Sequence, residues 1–467
     1  MGAEGSGPAK PKKIRVAKPK KIRVARPPGS RRLEESAEEH AAEVETAFHD
    51  LPKAEQRQAL IAAGVGNALE WYDWTIYAFF AVYFAPQIFG GDPQAAAVWA
   101  SIVFAIGFVA RPAGGLILGW VADRKSRALA MFISIIVMCL GSLGIAFAPT
   151  AEMVGVWAGI WLLFIRVAQG AALGGELPAA VAYLVDFTKP GRRARFVASF
   201  SLTLVLGTLL GSTIGTVLLL FLSPEQMNDW GWRIPFFLGA VMAAFGFWLR
   251  TRAPHAPVAE SDPKDRALWT LLTKYRPAIY RCLAVAAGDS LGFYAMATIF
   301  PEIAQSNGAS SSDVFLTSMV GLVIMGFVVL GYARLADLYG LEKMLTIALI
   351  SQAVVTLPVL LLLNGAFLNT LILQIIALVP IAMILGCDLL YVADQFPKKY
   401  RAMGMAISYT VTVSIFGGTA SLVWDVMNGA DVPWLFPLYV SVVSTVGAVF
   451  VFNHVRVKKA RRTTADA

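Results

Sequence analysis

The sequence predicts an all-α membrane protein whose twelve transmembrane helices form two six-helix bundles, with both termini in the cytoplasm. Of its 467 residues, 57% are apolar and only 15% are charged, whereas a soluble chain carries about 25% charged residues. Apolar segments of about 20 residues, long enough to cross a bilayer, recur from position 59 to position 455. Basic residues are concentrated in alternate loops between these segments. Together these observations exclude a soluble globular protein.

The order of apolar and basic segments predicts the topology. Hydropathy places the spans at 59–88, 96–121, 129–148, 154–186, 196–222, 234–250, 280–304, 314–336, 344–364, 367–392, 403–427 and 434–454. One set of loops contains clusters of Lys and Arg, such as 124–127 and 398–401, whereas the opposite set contains almost none beyond Arg233. The positive-inside rule therefore predicts cytoplasmic termini, and the alternation requires an even number of spans.

The segments outside the spans predict the domain organisation. We expect a disordered tail at 1–57, basic and then acidic, two bundles at 58–252 and 279–455, a cytoplasmic linker at 253–278 and a basic tail at 456–467. The N-terminal tail contains a duplicated segment, Lys10–Ala17 and Lys18–Ala25, whose repeated Lys and Pro are typical of disorder. Beside a membrane, we expect this segment to bind anionic lipids rather than nucleic acid. Without a cleavable signal peptide, the first span must itself direct insertion.

The two predicted halves resemble each other. Each carries an element with Gly and Asp after its second span, at Gly119–Arg124 in the first half and Arg334–Gly340 in the second. Related halves around a central cavity, with a substrate bound near the membrane midplane, are typical of secondary transporters.

Four of the carboxylates within the apolar spans are the predicted proton-coupling residues. Glu70 and Asp73 are three residues apart in the first span, so they share a helix face. A carboxylate at this depth costs about 2.5–3.5 kcal/mol, so that face must line a packed interior or a wet cavity. Because burial and like charge both oppose ionisation, we interpret the pair as a proton site, with packing contacts as the alternative. Asp289 and Asp388 are the equivalent carboxylates of the second half.

Two arginines in the spans are the predicted anchors for a substrate. Arg111 and Arg166 each lie about eleven residues, or about 16 Å, from a membrane face. The planar guanidinium suits a carboxylate of the substrate. The alternative is a permanent structural pair with Glu70, Asp73 or a helix carbonyl. The aromatic residues that we assign to the same substrate site are Trp74, Tyr77 and Tyr294.

Several stretches resemble the major facilitator superfamily, and within it the metabolite:proton symporter family. They are GNALEWYD at Gly66–Asp73, RPAGG and GWVADRKSR within Arg111–Arg127, RVAQG and GGE within Arg166–Glu176, WGWRIPF at Trp230–Phe236, and the segment Gln395–Thr419. The resemblance covers roughly residues 58–455. It implies two six-helix bundles with alternating access, and uptake of a carboxylate or zwitterionic metabolite together with protons. Substrates known in the family include α-ketoglutarate, shikimate, citrate, proline and betaine.

The resemblance also implies a gate at the cytoplasmic face. Its predicted residues are Asp123, Arg124, Arg127 and Glu176. Three departures concern this gate. Ser126 stands where the family motif usually has glycine, and the second-half copy has Leu338 where arginine is expected and Glu342 near another basic position. From the departures in the second half, we expect the gate to be latched from the first half only.

Other functions are left open or disfavoured by the sequence. An embedded enzyme lacks support, because metal-ligand spacing, a Gly-x-Ser-x-Gly element and a phosphate-binding glycine loop are missing from the sequence. A transport-like sensor usually needs a sizeable output domain. Within the transporter class, an uncoupled facilitator and a proline or betaine symporter remain alternatives. We expect a monomer in the plasma (inner) membrane, with the proton as coupling ion and no further cofactor.

Overall fold

A computed structural model describes residues 53–186, 188, 191–252 and 267–466. This described part is built from helices and contains no β-strand. The duplicated basic segment of the N-terminal tail and most of the predicted linker lie outside it.

The first half of the described chain contains six long helices. They are α1 (Lys53–Phe89), α2 (Pro93–Arg124), α3 (Arg127–Ala146), α4 (Trp157–Asp186), α5 (Arg193–Phe221) and α6 (Arg233–Arg250). Short turns at Ala151–Val154, Pro224–Gln226 and Met227–Gly231 precede α4 and α6. Side-chain caps begin two of these helices, because Asp92 accepts the Ala95 N–H at 2.9 Å and Ser126 accepts the Leu129 N–H at 3.3 Å.

The second half is more often interrupted. Its helices are α7 (Ala267–Lys274), α8 (Arg276–Tyr294), α9 (Phe300–Ser306), α10 (Ser311–Tyr339), α11 (Leu341–Leu361), α12 (Phe367–Leu385), α13 (Asp388–Asp394), α14 (Arg401–Met405), α15 (Ala420–Gly429) and α16 (Leu435–Asp466). A wide π turn, Ala295–Ile299, joins α8 to α9, and two more, Ala406–Thr410 and Val413–Gly417, lie between α14 and α15. Such π turns inside helices occur frequently at functional sites.

Helix lengths support the predicted membrane class. Within the described residues, eleven helical segments are long and apolar enough to cross a bilayer. Helix α1, which carries Glu70 and Asp73, is 37 residues long and is not among those eleven. The count of twelve spans and the cytoplasmic position of the termini stay predictions.

Helices pack mainly within their own half of the sequence. In the first half, α2 lies along α4, α1 along α5 and α3 along α6, while in the second half α11 lies along α16 and α10 along α12. Contacts between the halves are made chiefly by α5 with α10 and by α2 with α14 and the π turn after it. These contacts position the candidate site.

Candidate functional site

The seam between α2 and α4 places Arg111 at the centre of the first half. Glycines allow the two helix backbones to touch, as small residues do in membrane proteins. A Cβ atom on Gly174 of α4 would lie 1.8 Å from the carbonyl oxygen of Arg111, and one on Gly170 would lie 2.0 Å from that of Gly107. Side chains at these glycines would therefore force the helices apart and move Arg111.

Arg111 is a buried cation that forms no ion pair within the described part of the chain. Its side chain is 8% exposed, and its guanidinium carbon lies 4.1 Å from the ring centre of Phe108 and 4.6 Å from that of Trp74. The Tyr294 side chain, from the second half, interacts with it. Its Nε atom has no hydrogen-bond partner, and no carboxylate of the described residues lies within ion-pair distance. Aromatic rings stabilise the charge, but its bidentate donor face is not used by a carboxylate.

Arg166 is, by contrast, committed to an acid of its own half. Its Nη1 atom lies 2.7 Å from Asp73 Oδ2 and 2.9 Å from Gln169 Oε1. Ser142 also donates to Asp73, at 2.7 Å, so this carboxylate is held by groups from two further helices. Of the two arginines, Arg166 therefore matches the structural-pair alternative stated above.

The predicted aromatic residues divide between the two arginines. Tyr77 is buried, donates to the Ala100 carbonyl at 2.9 Å and lies under Arg166, whose guanidinium carbon is 3.7 Å from the tyrosine ring centre. Trp74 packs between the two guanidinium groups, and its indole N–H has no partner. Tyr294 packs edge-on against Phe108 at 5.7 Å, which brings the second half to Arg111.

Glu70 lies next to this arginine without being bonded to it. Its side chain is buried, its Oε2 atom has no hydrogen-bond partner, and Arg111 and Asp73 are within electrostatic range. Glu70 and Asp73 thus share a helix face, as predicted, yet only Asp73 has a bonded cation.

The second half holds two further buried carboxylates. Asp388 is 0% exposed and neither of its carboxylate oxygens has a hydrogen-bond partner. Asp289 lies within electrostatic range of it and accepts a long hydrogen bond, 3.4 Å, from the Tyr409 hydroxyl. Tyr409 belongs to the first π turn after α14. The structure therefore brings Asp289 and Asp388 together, although 99 positions separate them in the sequence.

Glu176 forms a buried ion pair inside the first half. Arg250 donates to its carboxylate and to the Met131 and Ala62 carbonyls, and Ser134 donates to it as well. These contacts join α1, α3, α4 and α6. The predicted gating role of Glu176 stays a prediction, and the structure shows a cross-brace within one bundle.

Two clamps, one centred on Asp123 and the other on Asp337, join the halves at the Arg-rich end. We define this end as the helix ends around Asp123, Asp186, Arg193, Asp337 and Arg401. Asp123 accepts the backbone N–H groups of Ala402 and Met403 at 3.3 and 2.8 Å, where α14 begins. A carboxylate at a helix N-terminus satisfies orphan N–H groups and interacts favourably with the helix dipole.

Arg127 and Asp186 extend this clamp. Asp186 forms ion pairs with Arg127 from its own half and with Arg401 from the other half, the latter at 3.1 Å. Arg127 also donates to the Lys398 carbonyl at 3.2 Å. Arg124, the remaining predicted gate residue, lies with its guanidinium carbon 5.9 Å from the Trp120 ring centre.

The expectation that only the first half latches the gate is wrong. Asp337 accepts the backbone N–H groups of Ala194 and Arg195 at 2.9 and 3.3 Å, where α5 begins, and pairs with the Arg195 side chain at 2.9 Å. Arg193 and Asp394 add a bidentate pair at 2.6 and 3.0 Å. Leu338 does not weaken the Asp337 clamp, because the bonds of that clamp are made by the Asp337 carboxylate and backbone N–H groups of the opposite half.

Contacts between the halves continue to the depth of Arg111. Thr410 donates to the Gly174 carbonyl at 3.1 Å, and Ser414 donates to the Phe108 carbonyl at 2.8 Å. With the clamps, these bonds join the two halves from the Arg-rich end to the level of Arg111.

Sequence reasoning missed several members of this network. Four of them lie at helix ends beside basic loops: Arg193, Arg195, Arg250 and Asp394. A charge at such a position helps to predict the topology, but it does not indicate which residue it pairs with. The repeated Gly and Asp element was the one signal that pointed to Asp337.

Comparison with known proteins assigns the chain to a family. The family model described as the Major Facilitator Superfamily matches residues 63–461. The chain is 31% identical to the alpha-ketoglutarate permease of Escherichia coli (strain K12) over 394 residues, which cover 83% of this chain and 91% of that protein. It is 27% identical to the proline/betaine transporter of the same strain over 414 residues, covering 84% of this chain and 82% of the relative.

Solved structures show the same fold. The proton:xylose symporter XylE bound to 6-bromo-6-deoxy-D-glucose matches with a TM-score of 0.72 at 16% identity, over 86% of this chain and 96% of that one. A partially occluded inward open form of XylE from E. coli matches with a TM-score of 0.66 at 13% identity, over 86% and 98% of the two chains. The chain therefore belongs to the Major Facilitator Superfamily, and it is a multi-pass transporter of the plasma membrane rather than an enzyme.

Proposed function

We propose that this transporter takes up a small organic acid, similar to α-ketoglutarate or shikimate, together with protons by alternating access. The observation that carries the proposal is Arg111, a buried cation whose donor face has no carboxylate of the described chain bound to it. Tyr294 of the second half interacts with this guanidinium. The permease relative at 31% identity supports a dicarboxylate of the α-ketoglutarate class.

Substrate binding follows from the chemistry of this site. A substrate carboxylate accepts two parallel N–H bonds from Arg111, while Trp74 and Phe108 stack on the guanidinium and keep its plane oriented. Tyr294 contacts the same guanidinium from α8, so both halves meet at the bound substrate. A ligand that touches both halves stabilises the form in which they are closed around it.

Proton coupling uses the carboxylates without bonded cations. An ionised Glu70 competes electrostatically with a substrate anion for Arg111, and a proton on Glu70 removes that competition. In the second half, Asp289 and Asp388 lie within electrostatic range of each other and form no ion pair with a described cation, so they hold one proton more easily than two negative charges. The Asp73 carboxylate is occupied by Arg166, which supports a structural role for it.

Alternating access requires the Arg-rich end to open. The Asp123 and Asp337 clamps join the two halves at this end. Opening exchanges these contacts for water, and the two clamps must release together because each one joins the same pair of bundles.

A betaine- or proline-type substrate is the second candidate function. Trp71 and Phe293 meet edge-on across the two halves with ring centres 5.3 Å apart, next in sequence to Glu70 and Tyr294. Aromatic rings recognise quaternary ammonium groups by cation–π attraction. A zwitterion then places its carboxylate on Arg111 and its ammonium group against these rings, and the proline/betaine transporter relative supports this option.

Uptake into proteoliposomes tests the function. We expect an inside-alkaline gradient to drive accumulation of labelled α-ketoglutarate or shikimate, and a protonophore to abolish it. Accumulation of betaine in place of both acids would select the second candidate. Uptake that ignores the protonophore would replace coupling with facilitated diffusion.

Variants of the coupling carboxylates separate coupling from binding. We expect Glu70→Gln and Asp388→Asn to retain exchange of labelled for unlabelled substrate while losing accumulation driven by the pH gradient. Asp425→Asn, at an exposed position, is the matched control and should retain both activities. Gradient-driven accumulation in both carboxylate variants would remove these residues from the coupling mechanism.

A further inference from the structure

A second charged site lies far from Arg111 in sequence, at the junction of α7, α8 and α16. A cavity of about 720 Å³ opens there. Its lining residues are Thr273, Lys274, Arg276, Pro277, Tyr280, Arg281, Val449, Phe450, Asn453 and His454. Three of these side chains are cationic and none is a carboxylate, so the cavity has a positive potential without an internal counter-ion.

The cations facing this cavity are available to a ligand to different degrees. Lys274 and Arg276 are exposed and contact tyrosines. The Lys274 ammonium lies 5.8 Å from the Tyr275 ring centre, and Arg276 donates to the Tyr280 hydroxyl at 3.4 Å. Arg281 is more committed, because its Nε atom donates to Gln395 at 2.9 Å. The charge available to a ligand is thus concentrated on Lys274 and Arg276.

Apolar surface continues directly from the basic cavity. Val449 and Phe450 are exposed on α16 within its membrane-spanning part, and Tyr280 is exposed on α8. A ligand seated here therefore meets cations on one side and lipid-facing apolar side chains on the other. Free phosphate or a nucleotide would not bury the apolar surface, whereas a phospholipid contacts the cations with its phosphate and the apolar side chains with its acyl chains.

Helix α7 places the cavity at the membrane surface. Its residues Leu268, Trp269 and Leu272 are exposed, while Leu271 is buried against the protein. An exposed face of Trp and Leu on a short helix beside a span is typical of a segment that lies in the interface between headgroups and acyl chains. The cavity begins at the end of this helix, with Thr273 and Lys274.

We propose that the cavity between α7, α8 and α16 is a binding site for one anionic phospholipid, with its phosphate at Lys274 and Arg276 and its acyl chains along Val449 and Phe450. This site is separate from the duplicated basic tail, for which lipid binding was predicted from the sequence. It does not depend on the transported substrate. Because α8 also carries Asp289 and Tyr294, a lipid held here braces the helix that brings both residues to the transport site.

Native mass spectrometry of the purified full-length protein with phosphatidylglycerol tests this site. We expect the double variant Lys274→Gln/Arg276→Gln to bind phosphatidylglycerol about thirtyfold more weakly than the wild type, since each of the two basic residues near an anionic surface contributes about 1 kcal/mol. The control is Arg252→Gln/Lys343→Gln, which removes the same charge from exposed positions outside the cavity and should leave binding unchanged. Lys274→Arg/Arg276→Lys keeps the charge and should also retain the lipid.

Two outcomes would overturn the proposal. Equal lipid retention by the cavity variant and the control variant would place the bound lipid elsewhere, including on the basic tail that all variants share. Displacement of phosphatidylglycerol by millimolar inorganic phosphate would show a simple anion site instead of a lipid site. Thermal unfolding of each variant, measured in parallel, shows that the protein is folded when binding is scored.

Discussion

The two buried arginines of the first half have the same chemistry but opposite surroundings. Arg166 reaches Asp73 at 2.7 Å, in a network completed by Gln169 and Ser142. Arg111 lies against Trp74 and Phe108, with no carboxylate bonded to it. Both arginines lie on helices that pack along one glycine seam, so the difference comes from which neighbours the seam brings to each.

These surroundings indicate a structural charge at Arg166 and a charge that is open to a ligand at Arg111. Removing one partner of a buried ion pair leaves an uncompensated charge, which is strongly destabilising. A cation held by aromatic rings retains its directional donors for another molecule. We therefore assign stability to the Arg166–Asp73 pair and substrate recognition to Arg111.

The largest effect is expected at the structural pair. Asp73→Asn leaves Arg166 buried without a counter-ion, so we expect the free energy of unfolding to fall by about 3–5 kcal/mol. Thermal unfolding and folded yield of the purified protein measure this loss. Glu70→Gln is the matched control on the same helix, and it should cost little because Glu70 has no bonded cation. Equal stability of the two variants would contradict the assignment.

The next effect concerns binding at Arg111. Arg111→Lys keeps the charge but loses the bidentate fork, so we expect roughly ten- to a hundredfold weaker substrate affinity, from one charge-assisted bond of about 1.5–3 kcal/mol. The measurement is the substrate-induced increase in melting temperature, with folded yield recorded beside it. Arg166→Lys is the comparison and should mainly lower stability. Unchanged substrate stabilisation in Arg111→Lys would leave Arg166 as the cationic candidate.

A smaller effect is expected at the clamps, which must open before a solute can reach the arginines from the Arg-rich end. Asp123→Asn and Asp337→Asn each weaken charge-assisted bonds to backbone N–H groups, so we expect the open form to increase about tenfold. A cysteine introduced by Ala406→Cys, which lies between the halves near Gly115 and Gly119, reports opening by its rate of alkylation with a soluble maleimide.

The two clamp variants should have similar effects. The Arg195 partner of Asp337 is 38% exposed, and a pair so open to solvent adds little to the backbone bonds. Asp425→Asn, exposed and on another helix, should not change the alkylation rate. An effect of Asp123→Asn alone would restore the one-sided latch that the sequence predicted.

The smallest effect on transport is expected from the N-terminal tail. Deleting residues 2–32 removes the duplicated basic segment and should leave the rate of substrate exchange unchanged, because every residue that we assign to binding or coupling lies within the spans. Expression or the dependence on anionic lipid should change instead. Exchange assays in vesicles with and without phosphatidylglycerol measure both. Loss of exchange in correctly inserted protein would make the tail part of the mechanism.

The sequence by itself determined the class, the family and the depth of the charged residues. Hydropathy and loop charge depend on composition over about 20 residues, so the class and the topology can be predicted from them without knowledge of tertiary contacts. An ionised side chain at membrane depth is costly wherever the helices lie. The sequence therefore also predicts a polar environment for the charged residues within the spans, namely Glu70, Asp73, Arg111 and Arg166.

Only the tertiary structure decided which of these charges are paired. Arg166 is 93 positions from Asp73, Arg250 is 74 from Glu176, and Asp337 caps a helix that begins 144 positions earlier, at Arg193. Spacing along one helix predicts a shared face, but it contains no information on which face of another helix lies opposite. Helix packing settles that. It paired Arg166 with Asp73 and left Arg111 and Glu70 without an ion pair among the described residues, because ion pairing acts over a few ångströms between residues distant in sequence.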